Sequence, residues 1–331
     1  MKNNIKNLIL MFIATMLLWA CAKEKANTIK LDANQDNKLK LSHSTRIIQL
    51  ETNPESLLHF IFKISIDKLN DRIFVLSNFN IYMFDMNGKY FNKLKIGKGP
   101  GEITRIVAFT IDTHTKRIYA IDNSTTLCLF DYNGNMIDKY GINNFASTDL
   151  CVLDDDNILL LRNFVGIEEK YFVGMYNLST REIVTKFVPA EKSPYPKNSI
   201  ATGVNFSNNN GKIYLNIPNI FRLFEFLNNN LYQIFSFDLG NRTVPKSVVN
   251  KCASNSKYCN LREEAKTRNY VPFLLYGFRF KEYYFTVIDD KSMSCYAINI
   301  KNNEIYNNGA LYTYFNLPEK ESLKLLGGNP G

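Results

Sequence analysis

Three shortages narrow what this chain can be. Trp occurs once, as Trp19, and His only three times, as His43, His59 and His114, each in a polar turn or at a strand edge. A hydrolytic triad needs a base that converges with a nucleophile and an acid, and no G-x-S-x-G nucleophile turn occurs either. No G-x-G-x-x-G or G-x₄-G-K-[ST] spacing is present, which removes the usual phosphate cradles. The 40 Lys and Arg outnumber the 31 Asp and Glu to give +9, but they are scattered among acids without a basic block. That pattern argues against nucleic acid as a partner and supports at most a mild preference for anionic surfaces or glycans.

What is present begins with the N-terminus. Lys2 and Lys6 precede an apolar run from Leu8 to Leu18, then Trp19-Ala20-Cys21. The run is short of the ~20 residues that span a bilayer, so residues 1–20 read as a secretory signal and not as an anchor helix. Leu18-Trp-Ala-Cys21 resembles the lipobox of bacterial lipoproteins, although Trp19 departs from the small residue usual there. The resemblance implies lipid attachment at Cys21, with residues 21–38 as a polar tether to the body. Loss of residues 1–20 removes two lysines and no acid, taking the charge from +9 to +7.

Of the other cysteines, Cys128, Cys151 and Cys295 sit in apolar strand patterns and read as buried thiols. Cys252 and Cys259 lie seven apart in a polar segment, where an oxidising envelope would let them close a loop; free thiols remain the alternative. Their spacing is not C-x₂-C and no His pair is near, so zinc is a poor reading.

A turn element recurs along the chain. Phe84-Asp-Met-Asn-Gly88, Phe130-Asp-Tyr-Asn-Gly134, Tyr176-Asn-Leu-Ser-Thr180, Phe237-Asp-Leu-Gly-Asn241 and Ile298-Asn-Ile-Lys-Asn302 each place an apolar residue, Asp or Asn, and an apolar residue before a turn. Upstream of each lies a short β-rich run, such as Ile73–Leu76, Ile118–Ile121 and Ile158–Leu161, preceded by another polar turn. Strand, turn, strand, turn, strand therefore repeats five times, at the spacing of propeller blades. The runs are continuously apolar, as expected of inner strands covered on both faces. A β-sandwich is the structural rival, but it would not repeat a turn so regularly.

A sixth blade is expected from the two ends together, with Leu39–Leu50 pairing against Ala310–Phe315. Pro318–Gly331 has no convincing strand, so the completeness of that blade is open. Residues 241–269 form the largest insertion, read as an excursion from one rim with a short helix at Leu261–Arg268.

Ile96-Gly-Lys-Gly-Pro-Gly-Glu102 resembles the G-x-G-P-G-E signature of the six-bladed β-propeller lipoproteins of Gram-negative envelopes, relatives of the NHL-repeat propellers. The likeness continues through Phe109–Asp112, Ile118–Ile121 and Phe130–Gly134 and weakens after Asn198. It implies a six-bladed ring displayed from a membrane. The chain ends earlier than that pattern, and only one blade carries the whole signature.

Gly97, Gly99 and Gly101 do not read as a phosphate cradle, because Pro100 removes a backbone donor and no helix follows. They read as a structural connector between blades, with Glu102 placed to accept backbone N–H groups. Asp154–Asn157 and Asp289-Asp290 offer oxygen ligands of the calcium type, though consecutive acids in turns usually cap hairpins. The aromatics Tyr270, Phe273, Tyr276, Phe278, Phe280, Tyr283, Tyr284 and Phe285 read as strand core or as a stacking surface for a sugar or peptide.

The expectation is thus an all-β, six-bladed propeller of four-stranded antiparallel blades over residues 39–317, its closing blade built from both termini, with a C-terminal tail at 318–331. The function expected is that of a non-catalytic, monomeric, lipid-anchored protein of the cell envelope, at the outer membrane. It would serve as a binding or scaffold domain for a glycan, peptide or partner protein, without nucleic acid, metal or cofactor. The alternative is a calcium-dependent propeller hydrolase or lactonase.

Overall fold

The computed structural model describes residues 26–32, 37–39, 47–142, 145–162, 171–189, 205–209, 211–218, 220–254 and 260–310. Among them run five sheets, each with four antiparallel strands consecutive in sequence, one of them extended by a strand from the N-terminal chain. Blade 1 is β2 to β5 (Ile61–Asp67, Arg72–Ser77, Asn80–Phe84, Tyr90–Lys93), and blade 2 is β6 to β9 (Ile106–Asp112, Arg117–Asp122, Thr126–Asp131, Met136–Gly141). Blade 3 is β10 to β13 (Asp149–Val152, Asn157–Leu161, Tyr171–Asn177, Glu182–Pro189). Blade 4 is β14 to β17 (Phe206–Asn209, Lys212–Ile217, Arg222–Leu227, Asn230–Asp238), and blade 5 is β18 to β21 (Leu274–Phe280, Tyr283–Ile288, Ser294–Asn299, Ile305–Ala310). The first strands of successive blades lie side by side, as in a β-propeller.

The recurring turn has one local cause. Its Asp or Asn bends back and accepts the backbone N–H two or three residues on: Asp85 from Asn87, Asp131 from Asn133, Asn177 from Thr180, Asp238 from Gly240 and Asn299 from Lys301. These Asx turns fix the hairpin between the third and fourth strands of blades 1, 2, 3 and 5, and in blade 4 the chain's exit from its last strand. The second and third strands in between are covered on both faces. Phe74, Ile118, Leu159 and Leu215 are inaccessible, and their neighbours pack into the next blade along.

The β3–β4 hairpin departs from the comfortable turn residues. Phe79 has φ +61° beside Asn78 at +49°, a costly conformation for an aromatic side chain. Its ring is stacked on Phe62 with centroids 5.1 Å apart, and the Arg105 guanidinium lies 4.0 Å from its centre. Those contacts offset the strain.

Blades are joined by four interblade cores in series, 1 to 2, 2 to 3, 3 to 4 and 4 to 5. Each end of that series is finished by non-blade chain. At the blade 5 end, α1 (Lys246–Ser254) and α2 (Leu261–Thr267) lay Val248, Val249, Cys252, Leu261 and Ala265 on Phe285, Val287, Cys295 and Ala297. At the blade 1 end, Ile48, Leu50 and Leu58 pack on Ile73, Val75, Tyr82 and Phe84.

The N-terminal chain runs along the outer edges of three blades. β1 (Asn27–Lys30) adds a parallel fifth strand to β17, from Asn27 opposite Phe235 to Lys30 opposite Asp238. Next, Asn37 accepts from the Asn307 N–H of blade 5, and the Leu39 N–H donates to Asn308 Oδ1. Glu51 then donates to Gly88 O of blade 1 and accepts the Tyr90 N–H through Oε2.

The expected sixth blade is therefore corrected to a five-bladed fold. The five turn repeats correspond to the five blades. The N-terminal chain bonds to the edges of existing sheets, and the insertion helices cover the face on which a further sheet would have to stack. Of the segments expected to close the ring, 40–46 and 311–315 lie outside the described residues.

Candidate functional site

Where first strands begin and second strands end, the mouth of the propeller gathers buried polar groups. Lys63 of blade 1 reaches Asp149 of blade 3, with Nζ 3.2 Å from Oδ1, while passing 5.8 Å from the centre of the Phe109 ring of blade 2. The other oxygen of Asp149 accepts from the backbone N–H and side-chain amide of Asn205, just before blade 4. One carboxylate thus ties three blades. Asp122, at the end of β7, accepts from the Thr104 and Arg105 backbone N–H groups and the Thr104 hydroxyl. Arg162, at the equivalent end in blade 3, is buried with its guanidinium 3.7 Å from the centre of the Phe145 ring.

The paired acids Asp289 and Asp290 are anchors for the insertion. Asp289, wholly buried, lies 2.7 Å from Arg262 Nε and 3.4 Å from Lys266 Nζ, both on α2. The Nε contact is off the hydrogen-bond axis, and Arg262 Nη2 supplies the aligned bond at 3.0 Å. Asp290 faces Arg242 at 3.5 Å, and that guanidinium also donates to Leu31 O and to the Tyr296 hydroxyl. Asp154 in turn accepts from the Asp156 and Asn157 N–H groups, capping its hairpin. Among the described residues no three His, Cys, Asp or Glu side chains gather as a metal site.

In the connector 96–102, Glu102 bends back so that Oε2 accepts the Gly99 N–H at 2.7 Å. A Cβ at Gly97 would fall 1.9 Å from that oxygen and displace the Glu102 carboxylate, while Gly101 has φ +77°, which favours glycine. Gly97 N–H donates to Ile103 O, and Ile96 bridges Ile103. Pro100 sits within this tight bend between blades 1 and 2.

The aromatics of 270–285 divide by face. Phe273, Tyr276 and Phe285 join the core under the insertion, and Tyr284 joins the blade 4 to 5 core. Phe278, stacked on Phe285, and Phe280 remain part-exposed. Burial raises the Cys128 thiol to about 11 and the Cys151 and Cys295 thiols to about 12, so these three stay protonated and unreactive. Cys252 is inaccessible in α1 and disulfide-bonded. Cys259, Cys21 and His43 lie outside the described residues.

Sequence reasoning missed a cleft on the opposite rim, between blades 1 and 2. It measures about 380 Å³ and is lined by Asn70, Arg72, Thr115, Lys116, Asp131, Tyr132 and Asn133. The Tyr132 hydroxyl donates to the buried Asp67 at 2.8 Å, and Asn70 spans to Thr113 O, so the cleft floor locks the two blades together. Burial and the Asp67 bond both push the Tyr132 hydroxyl far above its ordinary value. Burial alone would raise Asp131, but hydrogen bonds from Asn135, Asn133 and Gly134 outweigh it and hold that carboxyl below the usual range. The polar turn residues were visible in the sequence, but their convergence across two repeats was not.

Fold and site together define a β-propeller whose buried acids serve its own architecture. Residues 26–321 match the model of the family described as a domain of unknown function, DUF4934, and the chain belongs to that family. A crystal structure of a Bacteroides fragilis protein presumed to be exported has the same fold, with TM-score 0.68 and 18% identity over 88% of this chain and 81% of that one. The extracellular domain of a presumed hybrid two-component system from B. thetaiotaomicron gives TM-score 0.45 and 13% identity, over 75% of this chain and 29% of that one. No curated protein matches the chain.

Proposed function

We propose that the chain is an exported binding protein of the cell envelope, lipid-anchored through Cys21 at the outer membrane and acting as a monomer. Its propeller is a non-catalytic module for a glycan, peptide or partner protein. The observation that carries the non-catalytic reading is the state of the buried acids. Asp67, Asp122, Asp149 and Asp289 are the buried carboxylates of the described residues, and each is engaged by the protein's own donors. A general base or a calcium ligand must offer an oxygen to water, substrate or ion, and these are engaged in contacts that hold the blades, their connector or the insertion in place.

The leader and Cys21 support export and anchoring, and the likeness in fold to a protein presumed to be exported agrees with them. The same envelope would supply the oxidising conditions for a Cys252–Cys259 bond. Fractionation of cells that express Cys21→Ala tests the anchor: the variant leaves the membrane fraction, and its retention there would contradict the proposal. Incubation of the purified protein with lactones and esters in calcium tests the rest. No turnover is expected, and calcium-dependent hydrolysis would overturn the binding reading.

A further inference from the structure

The rim cleft between blades 1 and 2 holds two cations whose charge no acid of the described residues neutralises through an ion pair. Arg72 stands at the start of β3, where its guanidinium is 4.6 Å from the centre of the Phe91 ring and Nη1 donates to Asp71 O. Its Nε is buried and has no hydrogen-bond partner. The ring contact restrains the guanidinium, so its remaining terminal donors are available to an outside acceptor. Lys116 lies across the cleft in the β6–β7 turn, exposed, with φ +55°.

The third charge distinguishes a bare anion from something larger. Asp131, on the same wall, is held ionised by its turn, and it would repel a small free anion placed between the cations. It suits a ligand that brings hydroxyl groups to it and an acid group to Arg72 and Lys116, with Asn133 also on the lining. At about 380 Å³ the cleft is near the lower end of small-ligand sites, which begin at roughly 300 Å³. That is room for one or two sugar rings.

We propose that this cleft binds an acidic saccharide of the uronic-acid type, its carboxylate held by Arg72 and Lys116 and its hydroxyls by Asp131 and Asn133. The inference rests on the binding reading above and names the class of ligand.

Titration calorimetry on the detergent-solubilised full chain tests it with digalacturonic acid, its dimethyl ester and sodium sulfate. The acid binds, the uncharged ester binds about tenfold more weakly or worse, and sulfate does not compete at matched ionic strength. Lys116→Gln, on an exposed turn, and Arg72→Gln each weaken the acid about tenfold. Equal affinity for acid and ester, or unchanged affinity in the Lys116 variant, overturns the proposal. Full displacement by sulfate reveals a simple anion site and also overturns it. A wild-type chain that ignores the acid removes this ligand class while leaving the non-catalytic reading intact, because that reading fails only on turnover.

Discussion

Blade 5 hands Phe285, Val287, Cys295 and Ala297 to two helices that bury them, whereas blade 1, at the other end of the series, is covered only by the loop around residues 47–58. There Leu57, Phe60, Ile64 and Ile66 keep 46%, 47%, 43% and 51% of their surface exposed. The blade 5 cap is held by apolar packing, two ion pairs to Asp289, the Arg242 contacts and the disulfide at Cys252. The blade 1 cap depends on a short apolar contact, the two Glu51 hydrogen bonds and the exposed ion pair of Glu55 with Lys93 of β5. An end face can therefore be finished by a built structure or by a thin strap, and stability should be distributed accordingly.

Substitutions at the two caps sharpen that contrast. Leu261→Ala, at a position 1% exposed in α2, should cost about 3 kcal/mol in denaturant unfolding, through lost burial plus a cavity. Asp289→Ala comes next. Breaking a fully buried pair costs about 3–5 kcal/mol, but the Arg262 and Lys266 side chains are 42% and 29% exposed and regain water, so about 2 kcal/mol is expected. At the blade 1 end, Glu51→Ala loses the exposed carboxylate bonds from the Tyr90 N–H and the Asn53 side-chain amide and should cost about 1 kcal/mol or less by the same measurement. Ile66→Ser, on the half-exposed face, should stay within about 0.5 kcal/mol of wild type. A cost at Ile66 equal to that at Leu261 would erase the distinction between the ends.

The parts of the fold that were legible in the sequence are those whose causes are local. An Asp or Asn that accepts an N–H two or three residues on leaves a fixed signature, and five such signatures marked five units, four at a hairpin and the fifth, in blade 4, at the exit from the last strand. The Glu102 bond to Gly99 spans three residues and was visible for the same reason. The sixth blade came from a different kind of inference, from loose end strands and a family resemblance, and it failed. The contacts that decide the ends join Leu39 to Asn308 and Arg242 to Leu31, more than 200 positions apart, where no periodicity operates. The cleft was hidden likewise, because Arg72 and Lys116 belong to turns of different repeats. Asp289-Asp290 read as a hairpin cap that offers oxygen ligands, and the sequence could not show that α2 and Arg242 bring cations to them.

A crystal structure of the full chain tests the five-bladed account most directly. The account predicts five sheets of consecutive strands, with α1 and α2 seated on the outer face of blade 5 and Asp289 between Arg262 and Lys266. A sixth four-stranded sheet stacked on that face, with the helices displaced from it, would contradict it.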